Sequence, residues 1–79
     1  MLAVQCKMAR AALGWGVRDL AAAAKVSADT VARLERGEEL RERTVEAIRS
    51  AFEGAGVLFL ADGETASGGP GVRLASTKP

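Results

Sequence analysis

The sequence predicts a mainly α fold: four helices followed by a short C-terminal β segment. Three observations carry this. Apolar residues recur at helical spacing in four successive stretches that end near Phe52. Glycines at 14, 37, 54 and 56 stand where such stretches stop. At Val57 the pattern changes to a β-type run, Val-Leu-Phe-Leu.

The first helix is predicted over residues 3–13, free of Gly and Pro. Val4, Met8 and Ala12 define its apolar stripe, which Ala9 and Leu13 widen. Gly14 ends it in the left-handed conformation. The second helix is predicted over 17–24, with Gly16 as N-cap and Asp19 in the first turn, where the helix dipole favours an acid. Leu20 and Ala24 face inward, and Ala21 admits another helix closely.

A tight turn at Lys25 and Val26 leads to Ser27, a good N-cap for a third helix over 28–36. Val26 and Val31 occupy the N′ and N4 positions of a hydrophobic staple, which sets the angle at which the chain meets this helix. Val31 and Leu34 point to the core, and Ala28, Asp29 and Arg33 lie on another face. Gly37 ends the helix. Glu38 to Arg43 reads as a charged loop. Thr44 is the expected cap of a fourth helix over 45–53, with Val45, Ile48 and Phe52 on its apolar face. Residues 57–60 then form a strand, 61–70 a polar mobile loop, 72–74 a second strand and 75–79 a frayed tail. The expected division is 1–56 for the helical unit and 57–79 for β segment, loop and tail.

Residues 15–37 are the informative centre. Two short helices meet at a tight turn, and the second is small and polar at its start with an arginine one turn on. That shape can push a helix N-terminus into a DNA major groove.

Composition narrows the function. A chain of 79 residues has one domain as its ceiling. Its 48% hydrophobic content includes many alanines, so the core is small and a shared core between two chains is expected. The net charge of +1 argues against an indiscriminate polyanion binder, but not against local, specific binding. There is no histidine, which excludes His-based acid–base catalysis and Cys/His zinc sites. Cys6 is alone, so no intrachain disulfide forms, and a core role outweighs a redox switch. The Gly-rich stretch 68–71 lacks the Lys-Ser/Thr and helix of a phosphate-binding loop. No enzymatic activity, cofactor or metal is expected. No segment approaches the ~20 apolar residues of a membrane span, and no apolar leader precedes Lys7. The expected location is the cytoplasm, at a bacterial nucleoid.

Residues 8–54 resemble the helix-turn-helix domain of the lambda Cro/repressor-like (XRE) regulators. Arg10, Gly14, Leu20, Ala21, Val26-Ser27, Val31-Ala32 and Leu34-Glu35-Arg36-Gly37 carry the likeness. The whole chain is similar to short alphaproteobacterial members, with Gly-x-Gly-Val after the fourth helix and then Gly-Pro-Gly-Val-Arg-Leu. It departs from the pattern in three ways. Val17 stands where members carry a phosphate-bonding Gln, Lys25 stands where the turn usually has Gly, and a β segment replaces a fifth helix.

The resemblance implies that Ser27, Ala28, Asp29, Thr30 and Arg33 face the groove. Arg33 suits bidentate readout of guanine, Asp29 suits a cytosine amino group, and Ala28 suits a thymine methyl. Ser27 and Thr30 suit phosphate or a base edge. The plainer alternative is an exposed Asp29–Arg33 ion pair worth ~0.2–0.5 kcal/mol. Arg41 and Arg43 are candidates for the DNA backbone or minor groove, against a solvated surface offset by Glu38, Glu39 and Glu42. Arg18 is a further phosphate candidate, and Lys25 a weaker one. The resemblance also implies a structural ion pair between Arg10 and Glu35. Trp15 is expected to wedge the first helix corner.

The resulting expectation is a homodimeric, sequence-specific binder of double-stranded DNA that regulates transcription, most simply by repression at a pseudo-palindromic operator. Its interface would be the β segment, through Val57, Leu58, Phe59, Leu60, Val72 and Leu74. The alternative geometry folds the hairpin back on its own helices. The alternative function is a protein-interaction module, antitoxin-like or an antiactivator, whose helix-turn-helix surface meets a regulatory protein partner.

Overall fold

The computed structural model describes residues 1, 3–60 and 71–74. The expected loop at 61–70 and tail at 75–79 lie outside the described residues. Four helices, α1 (Ala3–Leu13), α2 (Val17–Ala24), α3 (Ala28–Glu35) and α4 (Glu42–Gly54), precede an antiparallel pair, β1 (Val57–Leu60) and β2 (Gly71–Leu74). The register sets Val57 against Leu74, Leu58 against Arg73, Phe59 against Val72 and Leu60 against Gly71.

One device ends each of the first three helices. A residue with positive φ reverses the chain, and the next main-chain N–H bonds a carbonyl five residues back, which satisfies carbonyls the helix leaves open. The reversing residues are Gly14 (φ 70°), Lys25 (φ 60°) and Gly37 (φ 90°). The bonds run from Trp15 to Arg10 at 2.9 Å, from Val26 to Ala21 at 3.0 Å and from Glu38 to Arg33 at 3.1 Å. Lys25 is the only non-glycine residue with positive φ among the described residues, a conformation that costs an L-residue roughly 1–2 kcal/mol.

Helix starts are also satisfied locally. Asp19 accepts the Gly16 amide N–H at 2.8 Å. Ser27 Oγ accepts the Thr30 amide N–H at 3.0 Å. The start of α4 differs from expectation. Its N-cap is Arg41, with no side-chain cap bond, and Thr44 lies inside the first turn. Glu42 at the first helical position supplies the acid that the helix dipole favours, so the helix begins before its apparent capping threonine. Arg43 is consequently helical rather than part of the loop. At the other end of the motif, Arg36 caps α3 rather than continuing it.

The core consists of Cys6, Ala9, Leu20, Ala21, Ala24, Val31, Leu34, Ile48, Phe52 and Val57. Phe52 is its largest wholly inaccessible member. Trp15 stacks on it with ring centres 5.8 Å apart, and Phe59 meets it edge-on at 5.8 Å. The Arg49 guanidinium sits 5.5 Å from the Phe59 ring centre. Trp15 thus wedges the corner after α1.

The inner face of α1 is not the expected one. Val4 is exposed and Ala12 lies outside the core, whereas Gln5, Cys6 and Ala9 are buried. Gln5 is tolerated because its Nε2 carries two hydrogens and donates to Leu60 O at 2.8 Å and Gly71 O at 3.0 Å. This amide ties α1 to the closing pair of the hairpin.

The hairpin packs on its own helices, with β2 against α1 and β1 against α4. Ile48, Phe52 and Val57 are therefore fully covered within one chain, without the core shared between two chains that composition leads one to expect. Val57 belongs to the core, and Phe59 and Val72 pack against it, while Leu58 stays half exposed.

Candidate nucleic-acid interface

The candidate surface is built on α3. Val31 and Leu34 anchor the helix in the core, which leaves Ser27, Asp29 and Arg36 exposed and Thr30 and Arg33 partly so. Ser27 Oγ and Thr30 Oγ1 lie 2.8 Å apart. Only one of their two hydroxyl hydrogens can lie in that bond, so the other remains for an outside acceptor. Ala28 is half-buried against the core, which limits how much of its methyl a thymine could touch.

Arg33 is 43% exposed. Its ion partner is Glu38 rather than Asp29: Nε donates to Glu38 Oε1 at 3.0 Å. Glu38 Oε2 accepts from Arg36 Nε at 3.1 Å and Nη2 at 2.9 Å. The bonds from Arg33 and Arg36 hold the Glu38 carboxyl below the usual range. In the sequence expectation Glu38 enters only as offsetting charge. The usable signal is Arg33-x-x-Arg36-Gly37-Glu38, in which the left-handed glycine turns the acid back over the last helical turn.

An open cleft of about 450 Å³ runs between α3 and the start of α4, lined by Thr30, Arg33, Glu39, Leu40, Arg41 and Thr44. It brings Thr30, Arg33 and Arg41 to one concavity. Arg43 and Arg18 are exposed but stand outside its lining. Lys25 is exposed at the turn between α2 and α3, and Val17 is half-buried against the core.

Behind α3 lies the second acid–arginine set. Arg10 Nε donates to Glu35 Oε2 at 2.7 Å and Nη2 to Oε1 at 2.9 Å, a bidentate bridge from α1 to α3. The side chains are 22% and 10% exposed. Arg10 Nη1 also donates to the Trp15 carbonyl at 3.1 Å. The Cys6 thiol donates to Glu35 Oε2 at 3.1 Å. Arg10 holds the Glu35 carboxyl below its ordinary value. Burial, reinforced by Glu35, pushes the Cys6 thiol up to about 12. Cys6 is thus a protonated core donor.

Among the described residues there is no group of three or more His, Cys, Asp or Glu that could hold a metal ion, and no helix is long and apolar enough to cross a membrane. A family model described as a helix-turn-helix domain matches residues 2–58. No curated protein and no solved structure matches the chain. The match spans all four helices and the start of β1, and it embraces the α2–turn–α3 unit whose exposed face carries Arg33. The chain belongs to the helix-turn-helix domain family, which is typical of DNA-binding regulators of the lambda Cro/repressor-like (XRE) kind.

Proposed function

We propose that this protein is a sequence-specific transcriptional regulator that binds double-stranded DNA through the exposed face of α3. The observation that carries the reading is the placement of Arg33. It stands one turn into a short helix anchored by Val31 and Leu34, with both terminal amino groups unpaired among the described residues. That donor pair matches guanine O6 and N7 in the major groove. Ser27 and Thr30 at the helix start offer a hydroxyl hydrogen to a phosphate or base edge, and Arg41 across the cleft offers a cation to the backbone. Arg18 and Arg43 extend the cationic surface on either side.

We also propose a homodimer acting on a pseudo-palindromic site. The support is narrower than the sequence suggests. Val57, Phe59 and Val72 are committed to the chain's own core, so the interface falls to exposed Leu58 and to the outer edges of the two-stranded sheet. Truncation after Gly56 would remove core residues as well, so Leu58→Glu is the cleaner probe.

The test is selection of duplexes from a random library by the full chain, with sedimentation alongside. The expected result is one enriched motif, arranged as an inverted repeat with half-site centres ~34 Å apart along the duplex. Affinity should fall steeply with salt. Leu58→Glu should sediment as a monomer. Absence of any enriched sequence would sink the DNA reading and favour the protein-interaction module. An enriched single half-site would sink the dimer alone.

A further inference from the structure

An acid at the edge of a DNA-facing surface repels phosphate, so Glu38 needs a reason to be there. Its place is fixed by the main chain. Gly37, at φ 90°, turns the chain so that the Glu38 amide bonds the Arg33 carbonyl at 3.1 Å. The side chains of the same two residues then meet at 3.0 Å. Arg33 and Glu38 are thus joined twice, once through the backbone and once through the carboxylate.

The atoms involved are selective. Glu38 takes only Nε of Arg33, on the inner edge of the guanidinium. Nη1 and Nη2, the pair that can grip guanine O6 and N7, are left unpaired among the described residues. The second carboxylate oxygen is held by two nitrogens of Arg36, which keeps the carboxylate from swinging onto the outer edge of Arg33. A free arginine side chain must lose rotamer freedom to contact a base. An arginine held at Nε has lost part of it before DNA arrives.

Resting on the DNA reading of α3, we propose that Glu38 is a positioning residue that holds Arg33 in a guanine-reading pose. It exchanges some general attraction to phosphate for discrimination at one base pair. Arg36 acts through Glu38 by fixing the carboxylate.

The test uses the full chain and the duplex it enriches, plus a second duplex altered at the base pair whose preference Arg33→Ala removes. Discrimination is the ratio of the two affinities. Glu38→Ala should bind random-sequence DNA more tightly than wild type, because a negative charge is gone, yet discriminate about two- to tenfold less. Glu38→Gln should gain the same general affinity and keep part of the discrimination, since its carbonyl oxygen can still accept from Nε. At base pairs whose preference Arg33→Ala leaves intact, Glu38→Ala should leave discrimination at its wild-type value. The thermal midpoint should not move, because the cluster is solvated.

Wild-type discrimination in Glu38→Ala overturns the proposal. So does an equal loss at base pairs whose preference Arg33→Ala leaves intact, which would place the action of Glu38 elsewhere. These outcomes leave the DNA reading standing. A wild-type chain that enriches no duplex overturns both.

Discussion

The ends of α1 and α3 are built alike and used differently. At the first, the Trp15 amide bonds the Arg10 carbonyl, and the Arg10 guanidinium bonds the Trp15 carbonyl. At the second, the Glu38 amide bonds the Arg33 carbonyl, and the Arg33 guanidinium bonds the Glu38 carboxylate. Both turns reverse on a glycine with positive φ, and both link an arginine to the residue five positions on. The first faces inward, where Arg10 continues to Glu35 and, through it, to the Cys6 thiol. The second faces solvent and leaves the terminal amino groups of Arg33 uncommitted. The same backbone geometry thus ties one arginine into the fold and holds the other at the surface. What separates the two uses is burial.

Breaking the inner set should have the largest effect on stability. Glu35→Ala leaves Arg10 and Cys6 without their shared acceptor in a mostly buried place. We expect a loss of roughly 2–4 kcal/mol, read as a lower denaturation midpoint. The pH profile should show both arms of this network. Glu35 has a lowered folded-state value, so its contribution is present above its ordinary value of 4.5 and fades as pH falls below that. Cys6 has a raised one, so its contribution is present below its ordinary value of 9.0 and fades as pH climbs from there towards about 12. Cys6→Ala should lower the midpoint at neutral pH and flatten the alkaline arm, with a smaller effect on the acid arm through the lost bond to Glu35. An alkaline arm of unchanged slope in that variant would remove Cys6 from the network.

A smaller and more discriminating effect comes from the two glycines. A Cβ at Gly14 or Gly37 meets no atom within 4 Å, so the cost of alanine there is the backbone strain alone. That strain is roughly 1–2 kcal/mol at either site. Denaturation midpoints of Gly14→Ala and Gly37→Ala should therefore fall by similar amounts. Only Gly37→Ala should also weaken discrimination on duplex DNA, because it disturbs the Glu38–Arg33 link. Equal binding behaviour in the two variants would erase the distinction between the inner and outer turns.

Much of this could be read from sequence wherever the cause is local. The left-handed Gly14, the helix stop at Gly37, the Ser27 cap and the inward Val31 and Leu34 each follow from residue type and spacing within one turn, whereas the positive φ of Lys25 runs against its residue type. The face of α1 did not follow, because Gln5 is inside only by virtue of two carbonyls supplied from Leu60 and Gly71, far along the chain. Hydropathy favours Val4 and cannot weigh that distant partner. The start of α4 was misplaced because Thr44 looks like a cap, while Glu42 already satisfies the dipole two residues earlier. At the candidate site, helical spacing pointed Arg33 towards Asp29. The Gly37 turn returns Glu38 to it instead, and a rule based on positions four apart within a helix does not reach past the turn.

The central claim is that Arg33 on α3 reads a base. Its most direct test is the base preference of Arg33→Ala, measured position by position across the motif enriched by the wild-type chain, with folding checked by thermal midpoint. The account predicts an unchanged midpoint, a loss of ~1–3 kcal/mol in specific affinity, and relaxed preference at one base pair per half-site. A folded variant that keeps wild-type preference at every position would contradict it and leave Arg33 as surface charge.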